Sequence, residues 1–129
     1  MQPLSPSSIH PPFAPYNHGI EVPAGQRLVF CSGQLGIAAD GTIPPDCEGQ
    51  AEICFANIAA ILAEAGMGLD NIVRVNAYVS AREHLAPYMA VRNRLMSPPY
   101  PASTLVIVAG FARPEFVVEV EGIAAGPAA

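Results

Sequence analysis

Between residues 46 and 79 the hydrophobic period of the chain changes once, from that of a helix to that of a strand. Ala51, Cys54, Phe55, Ile58, Ile61, Leu62 and Ala65 recur at the i, i+3, i+4, i+7 spacing that gathers apolar side chains on one helical face. Ile72 to Val79 then alternates: Val73, Val75, Ala77 and Val79 point one way, and Arg74, Asn76 and Tyr78 the other. A helix with one apolar stripe, joined by a short loop to a strand with one apolar face, buries both most simply by lying on the sheet. The opposite sheet face is then left with a mixed surface.

Punctuation residues set the boundaries. Pro44 and Pro45 precede the helix, Asp46 suits its N-cap, Glu48 its first turn, and Gly66 its C-terminal cap. Ser80-Ala81-Arg82-Glu83 has the form of a capping box for a second helix reaching about Met96. Pro87 sits too deep for an ideal first turn, so a short turn followed by the main helix is expected. Pro98, Pro99 and Pro101 end it, and closing strands are expected over 103–109 and 116–124. Upstream, Gly19–Val22 and Arg27–Cys31 flank Pro23-Ala24-Gly25-Gln26 and read as a hairpin. Gly33, Gly36 and Gly41 mark loops or bulges. Residues 1–15 carry Pro3, Pro6, Pro11, Pro12 and Pro15, which predicts an extended arm able to drape over a neighbour in an oligomer. The expected order is ββαβαββ. This is an α+β fold with a mostly antiparallel sheet and two helices on one face, organised as an arm (1–15) and one domain (16–125).

Charge restricts the partners. Only 13% of residues are charged, against roughly 25% in soluble domains, while 51% are hydrophobic. A surface so poor in charge points to burial against partner subunits. The uncovered sheet face, with Arg74, Asn76, Tyr78, Glu119 and Glu121, suits a wet inter-subunit surface. The net charge is −5 and no basic run exists, which argues against nucleic acid. No segment approaches the roughly 18–20 apolar residues of a membrane span. The first residues lack the basic and apolar regions of a secretory signal, so a cytoplasmic location is expected. Cys31, Cys47 and Cys54 form no C-x-x-C and read as reduced, buried thiols, and Cys31 has no paired base that would make it a nucleophile. His10, His18 and His84 are isolated, and no metal site is expected.

Pro15-Tyr16-Asn17-His18-Gly19, Phe30-Cys31-Ser32-Gly33-Gln34, Ala63-Glu64-Ala65-Gly66, Pro101-Ala102 and Val118-Glu119-Val120-Glu121-Gly122-Ile123-Ala124 occur in that order and spacing. Together they resemble the reactive-intermediate deaminase (RidA/YjgF) family over about residues 14–125. The resemblance implies a chorismate-mutase-like domain assembled as a homotrimer, with small-molecule pockets at the subunit interfaces. It also implies hydrolysis of short-lived enamines or imines to a carbonyl compound and ammonia, without a cofactor. By the same resemblance Glu119 matches the glutamate that positions or activates water and Tyr16 the pocket tyrosine. Ser32, Gly33 and Gln34 match the loop whose backbone approaches the ligand.

The departures are equally specific. Ser103 stands where the deaminases carry an arginine that grips the substrate carboxylate, and one neutral hydroxyl replaces a bidentate cation. Leu105 and Met89 stand where some members have cysteine and asparagine. Arg74, on the mixed sheet face, and Arg113, in the loop before the last strand, are the candidate substitute cations. Two readings follow: an imine or enamine deaminase with an altered substrate, or a non-catalytic trimer that binds a small ligand. A ribonuclease or translation-inhibiting role, reported for some relatives, is the weakest because of the acidic balance.

Overall fold

In the computed structural model, which describes residues 1–128, the strands are β1 (Gln2–Leu4), β2 (Gly19–Glu21), β3 (Arg27–Leu35), β4 (Ile72–Val79), β5 (Ala102–Ile107) and β6 (Val118–Gly126). The helices are α1 (Cys47–Ala63) and α2 (Leu85–Leu95), with single 3-10 turns at Leu69–Asn71 and Arg82–His84. The α+β order expected from the sequence is present, with β1 as an additional strand. Helix α1 starts where its cap residue dictates: the Gly49 amide donates to Asp46 Oδ1 at 3.3 Å. Beyond its end, Gly66 takes φ +70°, and the Met67 amide donates to the Leu62 carbonyl at 2.9 Å, reversing the chain toward β4.

The main sheet has the order β3-β6-β4-β5. Strand β6 is antiparallel to both β3 and β4, while β4 and β5 run parallel. A parallel pair needs a crossover, and α2 supplies it. Both helices pack on one face. Cys54, Phe55, Ile58 and Leu62 of α1 and Tyr88 and Val91 of α2 meet Val75, Ala77 and Val79 of β4 and Val118 and Val120 of β6 in one core. Val75, Ala77 and Val79 are buried in that core and alternate with Arg74, Asn76 and Tyr78 as expected, but at the start of β4 a register shift between Ile72 and Arg74 puts Ile72 rather than Val73 into the core.

Two local readings are corrected. Strand β2 does not form a hairpin with β3. It pairs antiparallel with β1, in the register Gln2 to Glu21 and Leu4 to Gly19. The arm supplies a closer partner than the strand beyond the Pro23–Gln26 turn, and β3 is taken by β6. The arm therefore folds onto its own chain, helped by Ser5 Oγ, which donates to Asn17 Oδ1 at 3.0 Å. The Ser80–Glu83 capping box does not form either. Ala81 is the residue that caps the Arg82–His84 turn, with no side-chain bond, and α2 begins only at Leu85. The expected short turn before the main helix is present.

Candidate active site

The Asn17 amide donates to the Pro101 carbonyl at 3.1 Å, and Asn17 Nδ2 to the Tyr100 carbonyl at 2.7 Å. This short parallel bridge, Asn17 to Ala102, lays the arm along the outer edge of β5. It brings Tyr16 beside Ser103. On β5, Ser103 and Leu105 stand in register with Val75 and Ala77 and so face the helices. From α2, Met89 and Arg92 face the same space. Phe13, Ala14, Tyr16, Met89, Arg92, Ser103 and Leu105 line a cavity of about 300 Å³. Four residues named from the sequence, Tyr16, Met89, Ser103 and Leu105, therefore meet in one place.

Glu119 is on the other face of the sheet. Strand β6 places it opposite Tyr78 of β4, on the surface that also carries Arg74, Asn76 and Glu121. Here Ser32 and Gly33 form a bulge. Cys31 pairs with Gly122 and Gln34 with Val120, so two residues of β3 oppose the single Glu121 of β6. The bulge presses Gly33 against Glu119: a Cβ at position 33 would lie 2.7 Å from the Glu119 carboxyl carbon. Glycine is needed at position 33 for this close approach and not for any unusual dihedral. Gln34 turns its amide back onto the Ser32 carbonyl at 3.0 Å, and its own carbonyl accepts from the Cys54 thiol.

Burial, and secondarily the charge of Glu121, raise the Glu119 carboxyl above its ordinary value. Among the described residues no ion pair or hydrogen bond engages that carboxylate. Glu121, by contrast, accepts from Tyr78 OH at 2.5 Å and from Asn76 Nδ2 at 3.3 Å. The two strand glutamates are thus differentiated, one tied down and one available.

The candidate substitute cations lie elsewhere. Arg74 shares the outer face with Glu119 and donates to Thr104 Oγ1 at 2.8 Å, on the opposite side of the sheet from Ser103. Arg113 is exposed, pairs with Glu115 at 2.7 Å and lies over the Phe116 ring. Arg92, which sequence reasoning passed over, is the arginine that lines the cavity. Its signal was available: position 92 falls four residues after Tyr88 and three after Met89, on the buried stripe of α2, where an arginine is out of place. The thiols fit the expectation of inert groups. Burial pushes Cys54 up to about 12 and Cys47 to about 11, and Cys31 is also raised. His18 donates to the His10 carbonyl at 2.7 Å and sets its ring edge-on to Tyr16, holding the arm. No cluster of three or more His, Cys, Asp or Glu suited to a metal occurs among the described residues, and no helix among them is long and apolar enough to cross a membrane.

The family profile described as Endoribonuclease L-PSP matches residues 7–126. The RutC family protein YjgH of Escherichia coli K12 is 35% identical over 117 residues, covering 89% of this chain and 88% of that protein. TdcF of E. coli K12, named provisionally as a reactive intermediate deaminase, is 27% identical over 114 residues, 85% of each chain. The crystal structure of a Rid-family protein of unknown function, YyfB from Yersinia pestis, superposes with a TM-score of 0.83 at 25% identity, covering 95% of this chain and 96% of that one. E. coli TdcF with bound serine superposes with a TM-score of 0.71 at 27% identity, covering 95% and 93%.

Proposed function

Because the chain belongs to the Endoribonuclease L-PSP family, the RidA/YjgF family, we propose that it hydrolyses a small imine or enamine to a carbonyl compound and ammonia. The reaction adds water across C=N to give a carbinolamine, which expels ammonia as the carbonyl forms. Glu119 takes a proton from the attacking water and returns it to the departing nitrogen. Tyr16 walls the pocket and offers its hydroxyl. Ser103, Leu105 and Met89 shape the space for the substrate. A Schiff base on a lysine side chain is not open to this chain, because all six of its Lys and Arg positions are arginine.

The observation that carries this reading is the packing of a partly buried, unpaired Glu119 carboxylate on the Gly33 bulge. Such a group holds its proton more readily than an ordinary glutamate, which suits alternating acid and base roles.

In one chain the cavity and Glu119 lie on opposite faces of the sheet. A homotrimer resolves this, with one copy bringing its Gly33–Glu119 bulge to the cavity of the next. Three features support that assembly. Charge is sparse. Both edges of the main sheet, β3 and β5, are open beyond the Asn17 bridge. Leu28 and Phe30 are 50% and 69% exposed beside that edge.

The neutral Ser103 in the cavity wall favours the second reading, a non-catalytic trimer that binds a small ligand. Ammonia release from 2-aminoacrylate generated in situ decides between them. Wild type should accelerate it, and Glu119→Gln should lower kcat/KM by about 10²–10⁴. An unchanged rate in Glu119→Gln would sink the mechanism. No acceleration by wild type on any imine offered, with ligand-induced melting shifts retained, would leave the binding module. RNA cleavage is disfavoured because Arg94 and Arg113 are held by Glu48, Glu52 and Glu115 and Arg92 is buried, leaving few cations for phosphates.

A further inference from the structure

Arg92 is 1% exposed, yet among the described residues it forms no ion pair with a carboxylate. The acidic residues closest in role are already occupied: Glu48 and Glu52 by Arg94, and Glu115 by Arg113. Among the described residues the one hydrogen bond the Arg92 side chain makes is from Nη1 to Asn93 Oδ1 at 3.3 Å. Its Nε and Nη2 have no partner among the described residues. Taking a guanidinium out of water without a counter-charge is costly, and folded proteins rarely tolerate it unless something outside the chain completes the pair. The two orphaned nitrogens are also the informative pair. Nε and Nη2 form the side edge of the guanidinium, whose two parallel N–H groups match the two oxygens of a carboxylate.

This side chain helps line the cavity of about 300 Å³ that also holds Tyr16, Met89, Ser103 and Leu105. No acidic residue lines that cavity, so an anion entering it meets one buried cation and no opposing charge. The Ser103 hydroxyl supplies a further donor, while Met89 and Leu105 supply an apolar wall.

We propose that Arg92 is the anion anchor of this pocket: its guanidinium, whose Nε and Nη2 are closed off from the cavity in this arrangement, turns from the α2 side to meet a small organic carboxylate, with the apolar body of the ligand against Met89 and Leu105. A ligand held this way points its carboxylate toward α2 and its other end toward β5. The proposal rests on reading this cavity as the substrate pocket.

The test is calorimetric titration of pyruvate and its neutral isostere pyruvamide into wild type, Arg92→Met, Arg92→Lys and Arg113→Met. Wild type should prefer pyruvate by at least tenfold. Arg92→Met should lose that preference with an unfolding temperature equal to or above that of wild type, because it removes two unsatisfied donors rather than a structural contact. Arg92→Lys should keep part of the preference, having the charge without the fork, and Arg113→Met should keep all of it. Equal affinity of wild type for the two probes, or an undiminished preference in Arg92→Met, overturns the anchor. Should Arg92→Met not fold, wild type against Arg92→Lys still decides: equal pyruvate preference in the two counts against the fork. Turnover separates this inference from the proposed reaction. Carboxylate preference that depends on Arg92, without imine hydrolysis, leaves the anchor standing and removes the enzyme. Hydrolysis indifferent to Arg92→Met does the reverse.

Discussion

Gly33 and Glu119 work as a pair because a hydrogen at one position makes room for a carboxylate at the other. In Gly33→Ala the new methyl would stand 2.7 Å from the Glu119 carboxyl carbon, and the flexible glutamate would have to swing aside. Stability should change by less than about 1.5 kcal/mol, since the displaced group is the end of a side chain. By contrast, kcat/KM should fall at least tenfold, so comparing Tm with turnover separates the two effects. The raised Glu119 carboxyl gives a second expectation. Its proton is held more tightly in the folded state, so ionising it costs stability as pH rises from its ordinary value of 4.5 through the higher folded value. Glu119→Gln should therefore match or exceed wild-type stability at pH 7 and lose that advantage below about pH 4. In wild type the acid limb of kcat/KM should lie above 4.5, and it should vanish in the glutamine variant. At this scale the sequence was readable where neighbouring positions form a contiguous motif, as in the Ser32–Gly33 bulge that packs on Glu119. Arg92 falls on the legible apolar stripe of α2, but that its guanidinium lacks a carboxylate partner depends on what lies across a cavity, which sequence does not show.

The elements are held in place by Gln50, fully buried in α1. Its Nε2 donates to the carbonyls of Pro44 at 2.9 Å and Glu115 at 2.8 Å, and its Oε1 accepts from the Val117 amide at 3.0 Å. One side chain thus joins the start of α1 to the loop that feeds β6, and so sets the position of Glu119 from the far side of the sheet. Gly36 lies directly over it: a Cβ there would come 2.3 Å from Gln50 Cβ. Gln50→Leu keeps the volume but leaves buried backbone groups without partners, and should destabilise by about 2–4 kcal/mol in urea unfolding. A loss under about 0.5 kcal/mol would mean that water replaces these bonds. The helix α1 and strand β4 were legible because their periods are long and clean. The β2 pairing was misread because a turn signal at Pro23–Gln26 says that the chain reverses, not which strand lies alongside. The capping box failed for a similar reason: its letters were present, but tertiary packing delayed the helix to Leu85.

Considered whole, the molecule has one dry face and one unfinished one. The helices cover the first. The second carries Glu119, Glu121, Tyr78 and Arg74 beside the exposed Phe30, and both edge strands are open. Sedimentation should give a mass near three times the 13.5 kDa chain. Phe30→Glu should shift it toward the monomer and abolish turnover together with assembly. A monomeric wild type that still turns over substrate would refute the shared site. Sparse charge is the compositional feature from which association is expected, but that the Tyr16–Ser103 cavity and Glu119 lie on opposite faces was not legible, because it depends on the side of the sheet each residue occupies.

The first residues have a practical bearing as well. Gln2–Leu4 is stitched to Gly19–Glu21, and Phe13, Ala14 and Tyr16 form one wall of the cavity. A purification handle fused upstream of Gln2 would pull on the same segment that frames the entrance. Binding assays on protein tethered by that end would measure the handle as much as the pocket.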